Sequence, residues 1–442
     1  MLYRIASKSF IMMEVMFKNY IQKKLEKYVR SYFLQHPEVK LVIVTGSVGK
    51  TSTKIAIATV LSQRFRVRLH EGNHNAELSA PLAVLGIDYP GNIKSIRAWM
   101  TVFAAARARI RNPTDVDVII QEIGSDRIGQ VPHAGTYMLP DIAVVTAVSP
   151  EHMQYFGDID TVAREELAAA NFSKQAIVNR EDIDGRFAAL LTNANISTYG
   201  SSAAAEYYFS DDDFSIDKGY SGHLVAKEWE EPVAATIRVL GEHSLRPAVA
   251  ASAVAIKLGL NSTEVAKGLA AIHAVPGRMN VLRGMENSIV IDDTYNSSPL
   301  ATSSAIQALY ALSVPQKIVV LGSMNELGAS SAVEHQALGA LCDPAQLAWV
   351  ITVGEQANSY LAPAAKQRGC QVKTFMSAIE AGGFVHQVLE PGAAILFKGS
   401  EGGIFLEEAV KVVLHATEEE TSLVRQSPDW VARKNAFFSS QP

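Results

Sequence analysis

The 442-residue sequence predicts an α/β fold of two doubly wound units: a central domain with a mostly parallel sheet plus an antiparallel insert, and a C-terminal Rossmann-like domain. Short apolar runs alternate with segments of helical periodicity along most of the chain, the pattern of a covered parallel sheet. The first run ends in a glycine turn that leads straight into a helix. One stretch, residues 201–242, breaks the alternation with short polar and aromatic segments such as Tyr207 to Phe209, Asp211 to Asp213 and Trp229.

Phe10, Met13, Phe17, Ile21, Leu25, Tyr28 and Tyr32 recur at helical spacing among Lys8, Lys18, Lys23, Lys24, Lys27 and Arg30, so residues 1–38 read as a basic amphipathic helical extension. Three fates are open to it: packing on its own domain or a partner protein, lying on an anionic membrane surface as a peripheral contact, or fraying. The central domain spans residues 39–275. Its strands are read at Val39 to Thr45, Val116 to Ile120, Ile142 to Val148 and Ala176 to Asn179, with helices over Thr51 to Leu61, Ile96 to Arg109, Thr161 to Ala170 and Arg246 to Leu258. The C-terminal domain spans residues 276–442, with strands at Ser288 to Ile291, Ile318 to Leu321, Trp349 to Val353 and Ala394 to Phe397. Ser439 to Pro442 read as a loose end.

Apolar residues make up 48% and charged residues 19%, a balance that excludes a disordered or collagen-like chain. Forty Lys and Arg against forty-five Asp and Glu leave a net charge of −5, so no overall positive field draws the protein to nucleic acid, and an anionic ligand needs a local site. Cys342 and Cys370 are too few for a disulfide framework or a four-ligand zinc site; both are expected as buried thiols in a reducing compartment. No apolar stretch reaches the roughly 18 residues of a membrane span, and the N-terminus lacks a signal-peptide core, so the expected location is cytoplasmic.

The sharpest motif is TGSVGKTS at 45–52. Gly46, Ser47, Val48, Gly49, Lys50, Thr51 and Ser52 lie between a strand and a helix, where backbone N–H groups and a helix N-terminus face a phosphate. Lys50 would neutralise the β and γ phosphates, and the Thr51 hydroxyl would bind magnesium. The glycine spacing is shorter than the general P-loop pattern, so a purely structural glycine turn stays the competing reading.

That motif, followed by EGNHNAELSAPLAVLGI at 71–87, QEIG at 121–124 and PDIAVVTAVSPEHMQYFG at 140–157, resembles the ATP-binding region of the Mur ligases. PGRMNVL at 276–282, IDDTYNSSP at 291–299, LGSMNELG at 321–328 and FKGSEGG at 397–403 resemble the second half of family members that act on muramoyl peptides. The resemblance implies ATP-dependent amide formation through an acyl phosphate, joining an acid to an amino acid or dipeptide amine in cell-wall peptide synthesis, with ATP and Mg2+ required. Carried over by motif, Lys50, Glu122 and His152 are catalytic; Thr51, Glu122 and His152 hold metal; Arg278, Asp293 and Asn296 join the loop in binding nucleotide; Asn73, Asn75 and Lys398 contact substrate. Several family members carbamylate a lysine about fourteen residues after the histidine. Glu166 stands there in this chain and is expected as a genetic replacement, a catalytic carboxylate and metal ligand.

Other departures narrow the inference. His243, Ser244 and Pro247 replace the family's H-N-x-x-N segment, which leaves the base preference open, while Ser323 and Glu401 alter motifs near the amine site. Only 44 residues precede Thr45, so a UDP-sugar domain of the usual kind is not expected ahead of the P-loop. Folylpolyglutamate, poly-γ-glutamate or cofactor-amidating ligases of the same superfamily are the alternative, and a non-catalytic ATP-binding scaffold is a further one.

Overall fold

A computed structural model describes residues 2–70 and 77–440, with side chains described from Met16 onward. The chain opens with the long helix α1 (Leu2–Gln35) and enters a nine-stranded sheet. Its strands are β1 (Lys40–Thr45), β2 (Val67–Leu69), β3 (Val118–Glu122), β4 (Ile142–Val145), β5 (Gln175–Asn179), β6 (Ile196–Gly200), β7 (Tyr207–Ser215), β8 (Gly219–Ala226) and β9 (Val233–Ile237), in the order β2-β3-β1-β4-β5-β6-β7-β8-β9. The pairs from β2 to β7 are parallel; β7, β8 and β9 pair antiparallel. The polar and aromatic stretch therefore extends the same sheet at one edge.

Alternation along β1 sorts the two faces. Val42 and Val44 pack with α2 (Lys50–Leu61), while Leu41 and Ile43 meet the opposite layer. That layer contains α1, α3 (Ser79–Leu85), α4 (Ile96–Arg111), α5 (Gln130–Ala134) and, beyond the short α6 (Met153–Phe156), α7 (Ile159–Phe172). Helices α8 (Leu245–Lys257) and α9 (Ser262–Ala270) cover α2's side. Caps fix several starts: Ser95 accepts from the Ala98 amide, Asp158 from that of Thr161, and Asn261 with Glu264 forms a capping box.

Between Ile21 and Tyr32, α1 packs on its own domain. Ile21 and Leu25 are buried against Trp99, Val102 and Phe103 of α4, and Val29 and Tyr32 join the core beneath. Phe10 and Met13 lie outside the described side chains. Met16, Tyr20 and Leu34 are exposed. No helix among the described residues is long and apolar enough to cross a membrane.

The second sheet has six strands, β10 (Asn280–Arg283), β11 (Ile289–Asp293), β12 (Lys317–Gly322), β13 (Trp349–Val353), β14 (Val372–Phe375) and β15 (Ala394–Lys398), ordered β10-β11-β15-β12-β13-β14 and parallel except at β10. Helices α10 (Pro299–Tyr310), α11 (Ser331–Leu341) and α12 (Ala362–Gln367) cover one face; α13 (Ala378–Val388) and α14 (Glu407–Val413) cover the other. A last helix, α15 (Pro428–Ser439), starts on a proline and runs to the edge of the expected loose end. Both cysteines are buried and free, and burial pushes the Cys342 thiol up to about 12.

Candidate active site

Parallel strands present their carboxyl ends together, and both sheets direct theirs at one cavity of about 500 Å3. From the first sheet come the loop after β1, Glu122 at the end of β3, and Glu151 and His152 beyond β4. From the second come Asp293 at the end of β11, Lys398 at the end of β15, and Asn325 and Glu326 after β12.

The loop after β1 is shaped by glycine. Gly46 has φ +122°, and a Cβ there would sit 2.3 Å from Thr146 Oγ1 and 2.8 Å from the Ala147 nitrogen, so only glycine lets the loop pass β4 this closely. Gly49, at φ +87°, turns the chain into α2. Ser47 ties the loop down by donating its amide to Ala147 O, at 3.0 Å, and accepting the Ser149 amide on Oγ, at 2.8 Å.

Lys50 folds back over this loop: its Nζ donates to Gly46 O at 2.5 Å and lies 3.3 Å from Glu151 Oε2. Burial by itself would lower the ammonium pKa, but Glu151, then Glu166 and Glu122, outweigh it and hold the group above the ordinary lysine value. Lys50 is therefore cationic where phosphates would arrive.

Thr51 Oγ1 donates to Glu122 Oε2 at 3.0 Å and accepts from Arg278 Nη2 at 3.1 Å. Arg278 comes from the second domain and stacks on Tyr295, 4.2 Å from guanidinium carbon to ring centroid. Lys54 Nζ lies 3.3 Å from Glu122, whose carboxylate is buried. A hydroxyl beside a carboxylate is a hard oxygen pair suited to magnesium. Among the described residues no group of three or more His, Cys, Asp or Glu side chains is arranged to hold a metal ion by itself.

Glu166 departs from its expected place. It is absent from the cavity lining and is turned beneath the loop, accepting the Thr45 hydroxyl and, at 2.7 Å, the Gly46 amide, both on Oε2. Its two methylenes give a much shorter reach than the four methylenes and carbamate of a carbamylated lysine. Burial raises its pKa more than Lys50 and these bonds lower it.

Across the cavity, Asp293 and Lys398 are register partners on β11 and β15, and their side chains meet at 2.6 Å. Lys398 also donates to Asn296 O at 3.0 Å, so it braces the 293–296 loop and is not a free surface cation. Arg278, Asp293 and Asn296 all line the cavity, as do Ser47 through Ser52, Glu122 and His152. Asn73 and Asn75 lie outside the described residues. A second cavity, about 290 Å3, adjoins the first at Gly124 and is walled by Gln22 of α1, with Arg127, Gln130 and His133.

Several lining residues lie in the quoted segments without an expected role there. Glu151 pairs with Lys50, Glu326 meets His152, and His243 sits where Asp182, Asn179 and Arg246 form a polar corner. Asn179 is saturated there by Thr146 O, Asp182 and two backbone amides. The acidic neighbour of His152 was visible in the sequence; the pairing across domains was not.

Residues 44–255 match the Mur ligase middle domain and residues 277–401 the Mur ligase glutamate ligase domain. The chain belongs to the Mur ligase family and carries these two domains in the family's order. Within the family it is similar to the UDP-N-acetylmuramoyl-tripeptide--D-alanyl-D-alanine ligase of Bacillus subtilis, 28% identical over 89% of this chain and 79% of that protein. The Escherichia coli ligase of the same name is 25% identical over 74% and 67%. Among solved structures, MurF from Thermotoga maritima in complex with ADP superposes with a TM-score of 0.71 at 21% identity, covering 90% of this chain and 84% of that one. Folylpolyglutamate synthase from Mycobacterium tuberculosis gives 0.63 at 17%, covering 87% and 94%. These two likenesses are of fold.

Proposed function

We propose that the chain is an ATP-dependent amide ligase. A carboxylate attacks the γ-phosphorus of ATP and ADP departs; an amine then attacks the acyl phosphate, taking the acyl group as orthophosphate leaves. The observation that carries this reading is the contact between Arg278 and Thr51, which joins the phosphate loop of one domain to the cationic wall of the other.

In this mechanism the amides of Val48 to Ser52 cradle phosphate oxygens, those of Gly46 and Ser47 being taken up by Glu166 and Ala147, and Lys50 and Arg278 neutralise charge on the transferring group. Thr51 and Glu122 would hold magnesium, which supplies further charge neutralisation at the phosphates, with His152 beside them. Asp293 and Asn296 receive the nucleotide from the second domain. Walls from both domains stand around the cavity, and an acyl phosphate formed there needs protection against hydrolysis.

For the acid we propose a muramoyl peptide, and for the amine D-alanyl-D-alanine, within cell-wall peptide synthesis; the names of the Bacillus and Escherichia relatives support this choice. The cavity beyond Gly124 is the proposed seat of the acid's tail, with α1 as its wall. A glutamate-adding activity on folate or poly-γ-glutamate chains is the second reading, favoured by the likeness to folylpolyglutamate synthase. Following phosphate release with ATP, Mg2+ and panels of acids and amines separates them: stimulation by UDP-muramoyl tripeptide with D-alanyl-D-alanine supports the first, and stimulation only by a folate with glutamate replaces it.

A further inference from the structure

We propose that Glu326 is a positioning residue for His152, and that the pair latches the C-terminal domain onto the phosphate site of the central domain. Only the expected effect on turnover depends on the ligase reading.

His152 begins α6 and Glu326 lies in the loop after β12, in different domains, yet His152 Nδ1 and Glu326 Oε2 are 2.6 Å apart. Both residues hold left-handed backbone, φ +51° at His152 and +64° at Glu326, which side chains other than glycine disfavour. Such conformations persist where surroundings dictate them, and they concentrate at sites that need a side chain aimed. Here two of them face each other.

The surroundings supply that dictation. Asn325, next to Glu326, donates its amide to Ser400 Oγ and its side chain to Gly402 O, both at 2.9 Å, and the Met324 amide bonds His335 Nε2 at 2.9 Å. The loop is thus fastened to its own domain before it reaches across. It then meets the other domain by main chain: the Gln154 amide points at Glu326 O, 3.4 Å away, and a Cβ on Gly328 would come within 3.1 to 3.3 Å of Gln154.

On its far side the imidazole leads to the P-loop. His152 Nε2 lies 3.8 Å from Glu151 Oε1, and Glu151 Oε2 lies 3.3 Å from Lys50 Nζ. Side-chain contacts therefore run from Glu326 through His152 and Glu151 to Lys50. The Glu326 carboxylate thus abuts the Nδ1 edge of the ring, and the opposite nitrogen, Nε2, lies on the Glu151 side. A contact to a carboxylate as exposed as that of Glu326 contributes little binding energy alone. Its consequence is geometric, so it belongs to the aim of His152 and the closed arrangement rather than to global stability.

The test uses the full chain labelled at Thr101→Cys and Gln387→Cys, two exposed positions on different domains, with both native cysteines buried. Energy transfer between the labels reports the interdomain distance without nucleotide. Glu326→Gln is expected to shift this distribution toward longer distances, with the melting temperature unchanged, and Glu326→Asp to restore part of it. In turnover, Glu326→Gln is expected to lower kcat by on the order of tenfold to a hundredfold with KM for ATP nearly unchanged. An unchanged distance distribution overturns the latch, and an unchanged kcat overturns its link to the site. If no acid and amine pair supports turnover by the unaltered chain, the ligase reading fails while the distance measurement still decides the latch.

Discussion

Glu166 stands at the sequence position of a metal carboxylate but spends its oxygen on the Thr45 hydroxyl and the Gly46 amide. Removing it strands two buried donors, which costs about 1 to 3 kcal/mol. Glu166→Ala is therefore expected to lower the melting temperature while the magnesium concentration for half-maximal phosphate release stays the same. A raised magnesium requirement with unchanged melting would return Glu166 to the metal. His243 makes a second residue-level prediction. Burial pushes its imidazole down to about 4, with Lys398 and Arg246 adding to the shift and Asp293 opposing it. An unfolded His binds its proton near pH 6.5, so between about 6.5 and 4 the unfolded chain takes up the proton and the folded chain does not; stability falls as pH drops. Asp292, pushed up to about 6 mainly by burial against bonds from Thr294 and Gly277, acts oppositely, since the folded chain binds its proton first. Comparison with His243→Gln cancels the Asp292 contribution: from pH 7 to 5 the unaltered chain should lose about 2 kcal/mol more than the variant in urea unfolding. At this scale the sequence makes the places of Lys50, Thr51 and Glu122 legible, because the first two open the helix after the glycine turn and the third ends a strand. Glu166 is harder to read, because its distance in sequence from His152 does not say which way its side chain turns, and here it turns to Thr45 and Gly46. Glu326 is invisible, because its partner lies in another domain.

At the scale of elements, the P-loop and α1 carry the tests. A methyl group at Gly46 meets Thr146 and the Ala147 backbone and also disfavours φ +122°. Gly46→Ala should abolish detectable ATP binding by calorimetry and lower the melting temperature; retained binding contradicts the loop geometry. Leu25 is fully buried between α1 and α4. Leu25→Ala is expected to destabilise the central domain by about 2 to 5 kcal/mol in chemical denaturation, as a core truncation does. A change within 0.5 kcal/mol, the range of surface substitutions, would show that α1 is not an integral layer. The sequence predicts this helix from its spacing but leaves open what it covers, because an apolar stripe fits a domain, a partner or a membrane equally well. The long strands are legible as apolar runs. The three-residue β2 and the half-exposed β14 are too short or too polar to stand out, and only their pairing with β3 and β13 makes them strands.

For the whole molecule, two doubly wound sheets aim their carboxyl ends at one cavity, and neither domain alone assembles the groups around it. The order of motifs along the chain announces both sheets, whereas their facing arrangement depends on contacts such as Arg278 with Thr51 that no local pattern encodes. This geometry is made for passing a phosphoryl group from nucleotide to acid while water is kept out. The most direct measurement supplies the acid with 18O in its carboxylate and analyses the orthophosphate released with amine and ATP. The account predicts one labelled oxygen in each phosphate formed by turnover; phosphate carrying only solvent or nucleotide oxygen would contradict it.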